Sequence, residues 1–431
     1  MSLLYTCYNL LTSALFIVSF PPLFICSALT GRYRNALGQR LGFYPKKAIK
    51  SLSGRPRIWL HAVSVGEVKA AIPILEALKK NLPFVSLILS AGTPHGLAVA
   101  AKLAPDRTLV VFAPVDFIGS ILIALRSLKP DVLALMETEL WPCWLVEAKR
   151  FGIKTALINA RVSSRSLPHY LMFRRFAKEV LAGVDTVSAI SLKDAHRMQA
   201  IGASHEKIKI NGNSKYDSLA RQSNPGIELG IRGILNISLN HPVFVAGSTR
   251  TGEERAVLQA FKKMREEFCD MLLVVAPRHI ERTAEVLRLI EQAGFSCVIR
   301  SKIDPIKRPR VEDVVLIDTV GELFNFYSAG TIVFCGGSLV PRGGQNILEV
   351  VAWGRPVFYG QFMEDFLDEK EVIEQAGAGV MVKDSTDLAE KALWFLRHPE
   401  ELQLRGEQGR EALFAHKGAA ERHAQAILEL L

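Results

Sequence analysis

The fold is decided by RIWLHAVSVGEVKAA, residues 57–71. Its first seven residues are an apolar, β-prone run. Ser64-Val65-Gly66-Glu67 follows as a turn, and Val68, Ile72, Leu75 and Leu78 then recur at helical spacing. The reading is a strand feeding a helix, with Pro73 either delaying or bending that helix. Glu67 is the first carboxylate of the chain, although eight basic residues lie between Arg32 and Arg57.

Outward from this unit the pattern repeats. Short apolar runs at 57–63, 85–90, 109–114, 131–137, 154–159, 185–190 and 207–210 alternate with helical stretches. A second series runs through 242–247, 271–277, 295–300, 314–318, 331–335, 356–360 and 380–384. Continuous apolar runs separated by helices imply parallel strands buried on both faces. Two successive arrays predict an α/β protein of two Rossmann-like doubly wound domains facing a cleft. The expected organisation is an apolar segment at 1–30, a first domain at 31–217 and a linker at 218–241, where Asn224-Pro225-Gly226 falls. A second domain follows at 242–410, and a C-terminal helix at 411–431 is expected to cross back to the first.

Leu3 to Leu29 carries no charged residue, long enough for a membrane helix although Pro21-Pro22 interrupts it. A cleaved signal peptide is disfavoured, because no basic residue precedes the apolar segment. The basic flank (Arg32, Arg34, Arg40, Lys46, Lys47, Lys50) accounts for most of the net charge of +10. By the positive-inside rule it places the body of the protein in the cytoplasm, on a membrane anchor. Beside such an anchor it is expected to meet anionic lipid headgroups, not nucleic acid. The six cysteines show no CxxC spacing, which argues against a structural zinc site or a disulfide framework.

Several unusual segments end predicted strands, where doubly wound sheets bind ligands. FCGGSLVPRGGQNILEVVAWGRPV (334–357) offers glycine amides for an anion and Glu349 for a ribose diol; the same letters also make a glycine-rich turn closed by a capping glutamate. AGSTRTGEE (246–254) brings Ser248 and Thr249 to a helix start, or is an N-cap with an acidic first turn. APRHIER (276–282) offers Arg278 to a phosphate, and DTVGELFNFY (318–327) places Gly321-Glu322 near a base. In the first domain Glu67, the cluster METELWPCW (136–144), NARVSSRS (159–166) with Arg161 and Arg165, and GNSKYD (212–217) with Lys215 hold equivalent positions. Neither a P-loop nor G-x-G-x-x-G is present, and neither HExxH nor a clustered Asp pair marks a metal site.

In this order, SVGE (64–67), ETELWP (137–142), NAR (159–161), GNSKYD (212–217), GSTRTGEE (247–254), PRH (277–279), GEL (321–323) and GGQNILE (343–349) resemble the Kdo transferases of lipopolysaccharide core biosynthesis. The resemblance covers nearly the whole chain. It implies a GT-B fold, CMP-Kdo as donor, a lipid A precursor as acceptor and inversion at the anomeric carbon, with no metal or other cofactor. It implies that Glu67 is the general base, and that Pro277, Arg278, Gly321, Glu322, Leu323, Asn346, Ile347, Leu348 and Glu349 contact CMP. Ser248 and Lys215 are grouped with these donor-binding residues. Two positions depart from the family's usual pattern, Val320 and His95. The rival readings are another GT-B enzyme using a UDP-sugar, either an epimerase or an N-acetylglucosamine transferase, and a membrane-tethered nucleotide-sugar binder without chemistry.

Overall fold

The computed structural model describes residues 2–30, 34–163, 166–306, 309–415 and 417–431, without the side chains of 23–35 and 225. Arg32 and Arg165 fall outside the described residues, as does the side chain of Arg34. The chain divides into two compact units, Met1–Ser218 with His416–Leu431, and Leu219–Ala415.

The first unit contains β1 (Arg57–Ala62), β2 (Ser86–Ala91), β3 (Leu109–Phe112), β4 (Val132–Met136), β5 (Lys154–Ala160), β6 (Thr186–Ala189) and β7 (Ile208–Ile210). They form one parallel sheet in the order β3-β2-β1-β4-β5-β6-β7. Alternation along β1 explains why its run is apolar throughout. Ile58, Leu60 and Ala62 pack under one helical layer, and Trp59 packs under the other.

Three helices of this unit matter below: α1 (Leu3–Thr30), α2 (Val65–Asn81) and α3 (Pro142–Arg150). Pro21 and Pro22 lie inside α1, and the part from Leu3 to Pro22 is long and apolar enough to cross a membrane. Pro73 neither delays nor ends α2; the helix starts at Val65 and runs on through it.

The second unit contains β8 (Val243–Thr249), β9 (Leu272–Pro277), β10 (Cys297–Ile299), β11 (Val314–Leu316), β12 (Ile332–Cys335), β13 (Val357–Tyr359) and β14 (Gly379–Met381). Their order is β10-β11-β9-β8-β12-β13-β14, again parallel. Phe244, Leu273 and Phe334 share a core with Val257 and Phe261 of α4 (Glu253–Arg265).

Residues 218–241, expected as a linker, carry the helix Pro225–Leu235, with Asn224 as its N-cap and Pro225 at its first turn. The Asn-Pro-Gly letters are a helix start here. Glu228 of this helix pairs with Arg355 of the second unit at 3.2 Å. At the other end, α5 (Ala419–Leu428) lies in the first unit, where Ala420, Ala424 and Ile427 share a core with α2.

Candidate active site

Each sheet changes its winding direction at one place, between β1 and β4 in the first and between β8 and β12 in the second. Ligands of doubly wound sheets bind beyond the strand ends at such a point. The SVGE, METEL and GSTRTGEE motifs and the 334–357 glycine loop lie there, while the NAR, GNSKYD, PRH and GEL motifs lie beyond the ends of other strands.

In the first unit, Ser64 caps α2 from an extended backbone conformation. Its Oγ accepts from the Glu67 N–H at 3.4 Å and donates to Glu67 Oε1 at 2.8 Å. The Val63 N–H donates to Glu67 Oε2 at 2.8 Å. The arrangement is a capping box whose carboxylate reaches one residue further back than usual. The bonds orient both oxygens and leave each a lone pair for a further donor. Glu67 is only 8% exposed, so it is not the surface carboxylate that a bare cap would supply. Burial, with repulsion from Glu137, holds its carboxyl above the usual range, although the Val63 N–H, Ser64 and Lys215 oppose the shift. A helix start favours an ionised carboxylate, but here desolvation outweighs it.

Glu137 and Glu139 follow β4. Glu137 sits in the left-handed region (φ 54°) with its N–H on the Ile158 carbonyl at 2.9 Å. Burial first, then repulsion from Glu67 and Glu137, pushes Glu139 up to about 7. Lys215 Nζ lies 2.5 Å from Glu137 Oε1. The structure therefore places Lys215 with the carboxylates of the first unit. Its motif is held from both ends. Asn159 Oδ1 accepts from the Ser214 N–H at 2.9 Å and Asn213 Oδ1 from the Lys215 N–H at 3.0 Å. Asp217 accepts from the Gly418 and Ala420 N–H groups at 2.8 and 2.7 Å, capping α5. On α5, His423 bridges Ser188 Oγ and the Gly212 carbonyl at 2.6 and 2.9 Å. Arg161 lies half-buried just beyond β5.

In the second unit the glycine loop behaves differently from expectation. The amides of Gly337, Ser338 and Leu339 donate to the carboxylate of Glu253 at 2.6, 2.9 and 2.8 Å, and the Arg250 N–H donates to the same group at 2.8 Å. These donors face a buried carboxylate, not an open anion site. Glycine is required nearby. A Cβ at Gly336 would lie 2.7 Å from Thr249 Cα, and one at Gly247 would lie 2.1 Å from the Tyr327 hydroxyl. Ser248 forms a bulge with φ 55° at the end of β8.

The positive field comes from arginines. Arg250 feels the charges of Arg278 and Arg342, which with its desolvation lower its proton affinity. Arg278 is exposed, with its N–H on the Thr249 carbonyl at 3.0 Å, and Pro277 beside it is buried. Arg250 Nη1 lies 2.7 Å from His279 Nε2, which a neutral imidazole accepts. Arg250 and Arg342 were not selected from the sequence as site residues. Their only signal there was position in glycine-containing loops at strand ends.

Gly321 turns at φ 90°, and Leu323 opens the short helix Leu323–Tyr327. Glu322 is held by Arg300 at 3.1 Å and by the Thr319 hydroxyl. The helix after the glycine loop begins only at Leu348. Asn346 delays it by an Asx turn: its Oδ1 accepts from the Leu348 N–H at 3.3 Å and its Nδ2 donates to Glu349 at 3.2 Å. Ile347 and Leu348 are buried, and Glu349 lies close enough to raise the proton affinity of Tyr327 and Cys335. Among the described residues, no group of three or more His, Cys, Asp or Glu is arranged to hold a metal ion.

Residues 35–218 match the family model described as 3-deoxy-D-manno-octulosonic-acid transferase (kdotransferase). The chain is 30% identical to the 3-deoxy-D-manno-octulosonic acid transferase of Haemophilus influenzae over 418 residues, 95% of each chain. It is also 30% identical to the enzyme of the same name from Bordetella pertussis, covering 93% of this chain and 94% of that one. The UDP-GlcNAc 2-epimerase of Neisseria meningitidis, solved with UDP-GlcNAc, matches with a TM-score of 0.62 at 15% identity, over 86% of this chain and all of that one. That likeness is of fold. The extent of the sequence match to the transferases decides the family: the chain belongs to the 3-deoxy-D-manno-octulosonic acid (Kdo) transferases.

Proposed function

We propose that this protein transfers Kdo from CMP-Kdo to a hydroxyl of a lipid A precursor, with inversion, and that Glu67 is the general base. The observation that carries the assignment of the base is the buried, doubly oriented Glu67 carboxylate beside Glu137 and Glu139 at the β1/β4 switch point. A sugar hydroxyl is a weak nucleophile at neutral pH. As its oxygen bonds to the anomeric carbon of Kdo, its proton passes to Glu67, and the bond from that carbon to the phosphate oxygen breaks with its electrons going to CMP. Burial and like charge make Glu67 a stronger base than a solvated carboxylate. Arg278, with Arg250 and Arg342, stabilises the charge gathering on the departing phosphate. With three guanidiniums in that role, the proposed reaction uses no metal. Asn346, Glu349 and the 321–323 turn hold the nucleoside, with Pro277, Ile347 and Leu348 shaping the pocket beneath.

The apolar α1 and the basic segment at Arg40, Lys46, Lys47 and Lys50 keep the enzyme on the cytoplasmic face of the inner membrane, beside an acceptor that stays in the bilayer. Replacing Lys46, Lys47 and Lys50 with Gln should weaken co-sedimentation with anionic vesicles while leaving neutral ones unaffected.

The deciding experiment incubates the full chain with CMP-Kdo and lipid A precursor, and reads the product by mass spectrometry. Glu67→Gln should cut turnover about 10²–10⁴-fold, the usual worth of a positioned base, with CMP affinity unchanged by calorimetry. Turnover near wild type would remove Glu67 from the role. Binding of UDP-sugars in place of CMP-Kdo would move the protein to the epimerase-like reading.

A further inference from the structure

Resting on that reading, we propose that Tyr8 of α1 acts through Asp116 as a positioning residue for the loop carrying Glu137 and Glu139. The apolar N-terminal helix would then shape the acceptor side of the reaction as well as tether the enzyme.

One seam of α1 is polar and docked. Tyr5 Oη donates to Glu147 Oε1 at 2.7 Å, Tyr8 Oη donates to Asp116 Oδ2 at 2.6 Å, and Cys143 Sγ donates to Asn9 Oδ1 at 3.2 Å. These residues stand at i, i+3 and i+4 and share one helix face. All three bonds reach α3 or the residue that caps it. Other positions of the helix are apolar and open, with Leu10, Leu11, Leu15 and Val18 between 67% and 74% exposed. A helix that served only as a greasy tether would need no such polar seam. Phe16 extends the docking by stacking on Phe117 at 4.3 Å between ring centres.

Asp116 links the seam to the site. Trp141, the N-cap of α3, makes no side-chain capping bond. The free N–H groups at that helix start go instead to Asp116 Oδ1, from Cys143 at 3.0 Å and Trp144 at 3.3 Å. The loop 137–141 is thus pinned at one end by the bond from the Glu137 N–H to Ile158, and at the other by Asp116. Glu139 lies between the pins. Tyr8 supplies the hydroxyl that holds the other oxygen of Asp116. Without it the half-buried carboxylate is free to rotate off the helix start, and the loop loses its second pin.

The test uses the full chain in detergent micelles, where membrane tethering contributes nothing to meeting the acceptor. Tyr8→Phe and Asp116→Asn should each lower kcat/KM for the acceptor by roughly five- to thirtyfold while CMP affinity, which belongs to the other unit, stays within twofold. The double variant should be no worse than Asp116→Asn alone, because the two act in one chain. Hydrogen exchange should rise for the amides of residues 137–145 in Tyr8→Phe and stay unchanged in the second unit; this readout does not depend on the identity of the substrate. An unaltered kcat/KM, a parallel loss of CMP affinity, or unaltered exchange at 137–145 would each overturn the proposal. Failure of the wild-type chain to make a Kdo product would instead overturn the assigned function.

Discussion

Glu253→Gln is the sharpest test of how the second unit is built. The wild-type carboxylate accepts four backbone N–H groups, those of Arg250 and Gly337 on Oε2 and those of Ser338 and Leu339 on Oε1. It is 1% exposed, so water cannot replace a lost acceptor. Glutamine keeps the shape but presents one amine where an oxygen stood. Whichever way the amide is turned, two buried donors face a donor. Leaving a buried donor unsatisfied costs about 1–3 kcal/mol, so the substitution should cost roughly 2–6 kcal/mol, before counting the weaker bonds to the remaining neutral oxygen. Against typical domain stabilities of about 5–15 kcal/mol, that is enough to loosen the second unit visibly. Urea unfolding followed by a probe in the second unit should show the lower midpoint. Calorimetry should show weaker CMP binding, because the Gly336–Leu339 loop lies at the β8/β12 switch point. A variant within about 0.5 kcal/mol of wild type, the scatter of an ordinary surface substitution, would refute the claim that this carboxylate organises the loop.

Three further outcomes follow from the same geometry. Lys215 lowers the proton affinity of Glu67, and the base must be deprotonated to act, so Lys215→Met should move the acid limb of the kcat/KM profile to higher pH; a limb that stays or moves down contradicts the arrangement. Gly247→Ala would put a Cβ 2.1 Å from the hydroxyl of the fully buried Tyr327, and should destabilise the second unit by about 1–3 kcal/mol in thermal unfolding. Arg342→Gln removes one of three neighbouring guanidiniums and should weaken CMP binding about tenfold at low salt and less at high salt, as calorimetry at two ionic strengths will show.

The sequence exposes the architecture and hides the wiring. Among the described residues, the central strands are readable because parallel strands covered on both faces become unbroken apolar runs, as in LLVVAP of β9, whereas edge strand β7 (Ile208–Ile210) is largely exposed and carries Lys209. The helix Pro225–Leu235 is not readable in this way, since Asn-Pro-Gly is at once a loop signal and a capped helix start. Glu67 is found because doubly wound sheets place chemistry at turns after strands, but the repulsion that helps raise its proton affinity comes from Glu137, 70 positions away. The role of Glu253 is harder still. Its letters are those of an acidic first turn, and its partners lie 84 to 86 residues further along the chain. Tyr8 sits in an apolar run whose composition points only to lipid, and nothing local announces that Asp116 lies opposite it.

The two units use one architecture to make opposite fields, and the difference traces to where each carboxylate is spent. At the first switch point Glu67, Glu137 and Glu139 stand together with Lys215 paired to Glu137, and burial and like charge raise the proton affinity of Glu67 and Glu139. That is what a proton acceptor requires. At the second, Glu253 is consumed by backbone amides and Glu254 by Arg282 at 2.7 Å and the Thr249 hydroxyl at 3.0 Å. The Glu253 charge still reaches Arg250, but repulsion from Arg278 and from Arg342 each outweighs it, so the arginines set the sign of the local potential. That is what a departing phosphate requires. A carboxylate freed from its amides at residue 253 would sit beside the very arginines that must attract an anion. In the proposed reaction, one set of amides therefore both orders the glycine loop and occupies the Glu253 carboxylate beside those arginines.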